Sequence, residues 1–353
     1  MSKKILTTAL LAGISLLALV VNIFSASTVR AETTLRFATW DPVAHEIRRL
    51  AMDPYLRAYG KVTGGSVKVN ILVKGLGAPP AYQDFIVDGA IDIANIIPAY
   101  TPGRFLLHKI AEFPFLTDSA EARTVAYWRI HEKYFAKVGE AKGMHLLNLY
   151  AHGPGMIHNS KREINSIADL KGLKLRVSGD NIAALAKSMG VTPIFAPITK
   201  VHLLLSKGVA DGAFQAHEGV KNFKMGKYVR YTTDVPGGLY STVFQTYMNQ
   251  AKWDGLSAKD KKLISAHSGE RFAHIAGQAW DIADREADVY LKKLGVQMKP
   301  ATPKMIAAMK KMWVPIQAEW MKKAAAKGID GEKVLAEYKA EIAKLEKTAK
   351  IKR

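Results

Sequence analysis

The sequence predicts an α/β fold of two similarly built lobes, each a mixed, mostly parallel sheet flanked by helices. Three observations carry this. Strand and helix patterns alternate in β-α-β-α-β order from residue 35 to residue 97, which calls for parallel strands joined by crossover helices. The same order begins again after residue 166. A short motif also recurs in both runs: Asp88-Gly-Ala-Ile-Asp-Ile-Ala94 and Lys207-Gly-Val-Ala-Asp-Gly-Ala213 each read helix end, Gly, two residues, Asp, strand. The Gly suits a left-handed residue that stops a helix. A generic helix-to-strand turn would give the same pattern.

Leu35–Ala38 reads as the first strand, and Trp40-Asp-Pro42 turns the chain. His45–Thr63 has helical spacing (Ile47, Leu50, Ala51, Leu56, Tyr59) and stops at Gly64-Gly65. Val67–Leu72 alternates as a strand. Tyr82–Val87 is a short helix ended by Gly89, Ile91–Ile97 a strand, Ala120–Val138 a helix and Met144–Tyr150 a strand. In the second run Ser166 caps a short helix that ends before Gly172. Strand Leu173–Val177, helix Asn181–Met189, strand Thr192–Phe195, helix Lys200–Ser206 and strand Gly212–Ala216 follow. After Pro236-Gly-Gly238, Tyr240–Asn249 is an apolar strand that returns to the first lobe. Leu256–Leu294 is a long helical stretch. Pro303–Lys327 and Glu332–Lys350 are amphipathic helices separated by Gly328.

The 353 residues carry 51 Lys plus Arg against 31 Asp plus Glu, a net charge of +20, and no cysteine. The missing cysteine excludes a disulfide scaffold, a cysteine nucleophile, an iron–sulfur protein and a Cys-ligated zinc finger. A hydrophobic content of 48% excludes a disordered basic tail protein. Lys3 and Lys4 precede an uncharged run, Ile5–Val21, and small residues lead to Ala31. This is the pattern of a secretory signal peptide, residues 1–31, cleaved after Ala31, with an uncleaved anchor as the alternative. The exported chain then has 48 basic and 31 acidic residues, or +17. Lys299–Arg353 alone holds 14 bases and 6 acids, so nearly half of the excess sits on the terminal helices. The charge reads as a solvated basic surface that at most steers anions toward a cleft. No nucleic-acid-binding pattern accompanies it, and none is expected of an exported chain.

The search for local catalytic motifs is negative. There is no Walker A loop, no G-x-G-x-x-G and no G-x-S-x-G; His131-Glu132 and His217-Glu218 lack a zincin's second histidine. The ten histidines show no metal-ligand spacing. No enzyme, metal or cofactor is expected, and a secreted enzyme using His45, His152 or His217 as base is the alternative.

Four stretches together resemble a known family: Phe37-Ala-Thr-Trp-Asp-Pro-Val-Ala-His45, Ile97-Pro-Ala-Tyr-Thr-Pro-Gly-Arg-Phe105, Asp169-Leu-Lys-Gly-Leu-Lys-Leu-Arg176 and Lys207-Gly-Val-Ala-Asp-Gly212. With the export signal and helical C-terminus, they look like the DctP-type extracytoplasmic solute-binding proteins of TRAP transporters. The resemblance implies a two-lobed periplasmic-binding-protein (Venus-flytrap) fold, with a long hinge-spanning helix. It also implies capture of a small organic acid by clamp closure and delivery to a TRAP membrane permease, by a monomer. An ABC-type partner is the alternative. Lobe I is expected at 32–153 plus 242–281, and lobe II at 154–241 plus 282–353.

Arg176 matches the family's carboxylate-binding arginine. Its planar fork suits a carboxylate, and it lies at the C-terminal end of a strand, where open α/β sheets place ligands. Many relatives carry a second arginine where this chain has Met156. One arginine and a methionine suit a monocarboxylate with an aromatic or otherwise hydrophobic body. Trp40 and His45 follow the first strand and are candidates to stack on the ligand and to donate to it. Tyr100 and Arg104 flank the Thr-Pro-Gly turn, Arg104 as a second anion contact or a brace. His152 lies at the Gly-Pro-Gly bend. Phe214 and His217 follow the second Asp-Gly motif, and Tyr240 and Phe244 lie on the returning strand.

Overall fold

The computed structural model describes residues 32–348. The signal-like segment and the cleavage point after Ala31 lie outside the described residues, as does the end of the last predicted helix. In chain order the strands are β1 (Thr33–Ala38), β2 (Val67–Ile71), β3 (Ile93–Ile96), β4 (Met144–Ala151), β5 (Met156–Asn159), β6 (Lys174–Val177), β7 (Thr192–Phe195), β8 (Gly212–Gln215), β9 (Tyr231–Asp234), β10 (Val243–Asn249) and β11 (Gln297–Pro300). They form two sheets, ordered β2-β1-β3-β10-β4 and β11-β9-β5-β8-β6-β7, each flanked by helices.

The repeated motif has the same physical role in both sheets. Gly89 (φ 72°) and Gly208 (φ 66°) end their helices in the left-handed region. Asp92 then pairs with the neighbouring parallel strand: Arg36 N donates to its Oδ2 (2.8 Å) and Asp92 N donates to Arg36 O (3.1 Å). Asp211 repeats this with Lys174, at 2.9 and 2.7 Å. The carboxylate satisfies the last amide before each ladder begins, which pins the register of β1 against β3 and of β6 against β8.

Each sheet contains one strand that runs against its neighbours. β10 is antiparallel to β3 and β4, and β5 is antiparallel to β8 and β9. Both are the first strands after the chain passes from one sheet to the other. A strand reached directly from the space between the sheets runs opposite to strands that end there. The two passages, 152–155 and 235–242, lie side by side: Gly155 N donates to Tyr240 O (2.8 Å), Leu239 N to Gly155 O (2.9 Å) and His152 N to Thr242 O (3.2 Å). Glycine is required by the close approach. A Cβ on Gly153 would sit 1.9 Å from Asp284 Oδ2, and one on Gly155 would sit 2.2 Å from the Tyr240 ring.

The Glu270–Lys293 helix bridges the two halves. It buries Phe272, Ala276, Ala279, Trp280, Ala283, Ala287 and Leu291 at helical spacing. It packs on the Ala120–Ile130 helix and β4 beside the first sheet, and on the His217–Asn222 helix beside the second. Its Asp281 caps the Ala120–Ile130 helix by accepting from Ala120 N (2.7 Å) and Glu121 N (3.1 Å). The terminal helices also reach both sides: Pro303–Ala325 packs on Asp180–Ser188, and Gly331–Glu346 on Ala120–Ile130.

Several elements differ from expectation. The Leu256–Leu294 stretch is two helices, Ala258–His267 and Glu270–Lys293. Gly269 (φ 66°) separates them and donates to Leu147 O and Asn148 Oδ1 instead of continuing the helix. The His45–Thr63 helix begins as a π turn, Ile47–Met52, ahead of Pro54, which lacks the N–H that an unbroken α-helix needs there. β5, β9 and β11 were not foreseen.

Candidate functional site

Arg176 organises the cavity between the sheets. The Ser166–Asp169 capping box and Gly172 (φ 80°) lead the chain into β6, which places Arg176 near its C-terminal end. The side chain is 1% exposed. Nε donates to Ala196 O (2.8 Å), one terminal nitrogen to Gln215 Oε1 (2.9 Å) and the other to the Tyr100 hydroxyl (3.1 Å). None of these partners is a carboxylate. A buried guanidinium held only by neutral oxygens is an incomplete arrangement, since a buried charge is costly without a counter-charge. Tyr100 comes from the first sheet's side and also accepts from Ile198 N (2.9 Å), so it ties the two halves at the cation.

The opposite walls are aromatic. Trp280 stacks on Phe244 (5.3 Å between ring centres), and Phe244 stacks on Tyr150 (5.1 Å). Trp40, Phe223 and Ile97 complete the apolar lining, with Ser178, Thr242 and Ile198 nearer Arg176's strand. The walls close tightly on one another and leave a cavity of about 20 Å³, room for about one water. Apart from His45 Nε2, which faces Glu218, three buried nitrogens in this lining have no hydrogen-bond partner among the described residues: Trp40 Nε1, Trp280 Nε1 and His152 Nε2.

An ionisable group of residues borders the slot. His45 Nε2 lies 3.0 Å from Glu218 Oε2, while Ile47 N donates to His45 Nδ1, which puts the ring proton on Nε2. Burial depresses the His45 pKa, but the Glu218 bond and the charges of Glu218, Asp41 and Glu46 outweigh it, and the net shift is upward. Burial raises the pKa of Asp41. Glu46 is also buried, yet bonds from Asn222 and Lys221 bring its carboxyl down to about 2. These Glu46 bonds and the His45–Glu218 pair join the first sheet's helix to the second sheet's helix, beside the slot. Among the described residues no group of three or more His, Cys, Asp or Glu is placed to hold a metal ion.

Of the expected site residues, Trp40, His45, Tyr100, His152, Arg176 and Phe244 meet in this cavity. The others lie elsewhere. Met156 faces a separate cavity on the far side of β5, where its sulfur accepts from Val235 N (3.1 Å). His217 lines that same cavity, between Asp234 (2.9 Å) and Asp288. Phe214 is fully buried core, and Tyr240 donates to its carbonyl (2.9 Å) while facing away from the slot. Arg104 is exposed and braces Asp84 (2.7 Å). Trp280, Gln215, Glu218 and Asp41 were not anticipated. Gln215 and Glu218 flank the Ala216–His217 step, so the second Asp-Gly motif pointed to the right loop. Trp280 sits at core spacing in a helix and carried no sequence signal.

Residues 49–324 match the bacterial extracellular solute-binding proteins, family 7 (DctP). A TRAP periplasmic solute-binding protein of Bordetella bronchiseptica, solved with bound (R)- and (S)-mandelate, is 36% identical, with 89% of this chain and 99% of that one covered and a TM-score of 0.86. One from Rhodoferax ferrireducens, with copurified benzoate, is 28% identical, covering 90% of this chain and 99% of its own at a TM-score of 0.83. A third, from a marine metagenome and specific for aromatic acids, was solved with 3-hydroxybenzoate; it is 33% identical, with coverage of 89% and 98% and a TM-score of 0.81. No helix among the described residues is long and apolar enough to cross a membrane. With its two sheets, its cationic slot between them and a family match over most of its length, the chain belongs to the DctP family of extracytoplasmic solute-binding proteins.

Proposed function

We propose that this protein captures an aromatic monocarboxylate outside the cytoplasm and delivers it to a TRAP permease. The observation that carries this is Arg176: a buried cation among neutral partners, facing stacked aromatic rings. One guanidinium supports one carboxylate. The Trp40, Phe244 and Trp280 walls support a flat apolar body. The mandelate, benzoate and 3-hydroxybenzoate bound by the similar structures support the same class.

The protein is a carrier rather than an enzyme, acts as a monomer, and is secreted by cleavage after Ala31. Its lobes are 32–153 plus 242–281 and 154–241 plus 282–353, hinged at the paired passages near His152 and Thr242. Thermal unfolding and calorimetry with aromatic, dicarboxylic and sugar acids test the reading. A suitable aromatic acid should stabilise the protein by about 2.7 kcal/mol at a hundredfold excess over Kd. If only dicarboxylates or sugar acids raise the melting temperature, the proposal is wrong.

A further inference from the structure

The slot offers its ligand two unmet donors and one unmet acceptor. The indole N–H groups of Trp40 and Trp280 are the donors. The acceptor is His152. Its Nδ1 lies 2.6 Å from Gly153 O. A carbonyl can only accept, so Nδ1 carries the proton. Nε2 of a neutral ring then holds a lone pair. Burial keeps the ring neutral, lowering its pKa to about 3 against the opposing Gly153 bond. The charged side chains bearing on it are Arg123 and Arg176, both cationic, with Asp284 beside Gly153. The ring is 2% exposed and is held edge-on to Tyr240 (5.4 Å), with Phe244 and Trp280 beyond. Among the described residues nothing donates to Nε2.

A carboxylate has no proton to offer this atom, so Arg176 and His152 ask for different groups on one molecule. We infer that the ligand of this site is a hydroxylated aromatic acid, whose hydroxyl donates to His152 Nε2 while its carboxylate pairs with Arg176. This rests on the aromatic-acid reading above and sharpens it. His152 is then the specificity-determining residue that separates a hydroxy acid from its deoxy counterpart. A site built around a substrate hydroxyl discriminates far better than one that merely tolerates it, because the deoxy analogue leaves a buried polar group unmet.

Matched pairs test this on the wild-type protein: mandelate with phenylacetate, and 3-hydroxybenzoate with benzoate, by isothermal titration calorimetry. In at least one pair the hydroxy acid should bind about tenfold tighter or more. In His152→Phe that preference should collapse. Titrations in buffers of different ionisation enthalpy should show no proton taken up on binding. Equal affinities within both pairs would overturn the inference and leave the aromatic-acid reading standing. So would uptake of a proton that His152→Phe abolishes, which would mark an imidazolium at this residue pairing with the carboxylate. If no member of either pair binds, the aromatic-acid reading itself fails, and this inference with it.

Discussion

Arg176 is the residue on which the proposed binding turns. Lysine at this place would keep a charge but lose the fork that bonds Ala196 O, Gln215 and Tyr100 at once. Arg176→Ala should weaken the best acid by about a hundredfold or more, the scale of truncating one partner of a buried charge pair. Arg176→Lys should fall between the two, and calorimetry measures both. A loss of less than about threefold in the alanine variant would place the carboxylate elsewhere. Arg176 was singled out because the Asp169–Arg176 stretch resembles the family's carboxylate-binding segment, and a capped turn, a glycine and a short strand set its position locally. Trp280 was not. Residues that face a core and residues that face a ligand recur on a helix at the same 3.6-residue spacing, and nothing in the chain's local pattern separates them.

At the scale of elements, two junctions carry predictions. Gly277 lets the Glu270–Lys293 helix cross the Ala120–Ile130 helix, and a Cβ there would stand 2.3 Å from Glu121 Cα. Backbone cannot yield as a side chain can, so Gly277→Ala should destabilise by about 1–3 kcal/mol. Trp280 lies one turn further on, so the same variant should weaken ligand binding; denaturant unfolding and calorimetry check the two effects. The second junction is His217, which joins the His217–Asn222 helix to Asp234 at the end of β9 and to Asp288 on the long helix. Burial opposes its charge, but the two aspartates raise its pKa to about 9. A raised pKa means the folded protein holds the proton more tightly than the unfolded chain. The contribution is complete below about pH 6.5 and disappears as pH rises through about 9. Wild type should therefore exceed His217→Gln in stability at pH 6, and the gap should narrow by pH 10 in urea denaturation. A gap that stays constant would show that His217 acts by packing alone. The repeated Gly-x-x-Asp turn was readable because its glycine stops a helix locally, although its aspartate's partner lies far along the chain; nothing local marked β5, β9 or β11.

For the whole molecule, the slot is built from both halves. Tyr100, Trp40, Phe244 and Trp280 come from the first sheet's side and the long helix, and Arg176, Gln215 and Glu218 from the second. Glu46 joins Lys221 and Asn222, Lys109 joins Asp180, and His45 meets Glu218. On the proposed hinge at the paired passages 152–155 and 235–242, the halves part when the slot is empty. Small-angle scattering should therefore give a smaller radius of gyration with bound acid than without. Glu46→Ala should expand the unliganded protein further and weaken binding, because part of the affinity is spent on closing it. An unchanged radius in both states would argue for a rigid slot.

The two β-α-β runs and their matching Gly-x-x-Asp turns could be read from the chain, because caps, left-handed glycines and strand periodicity act over a few residues, and Arg176 was singled out by the resemblance of its segment to the family's. The company that cation keeps could not. Six of eleven expected site residues meet in the slot, and Met156, His217, Phe214, Tyr240 and Arg104 do not, since each lies near the site in sequence yet points to another side of its strand or loop. Side-chain direction alternates with every strand residue, so one step of register decides whether a group faces the ligand. Tertiary packing made that decision, and it also left His152 with a lone pair that no neighbour among the described residues fills.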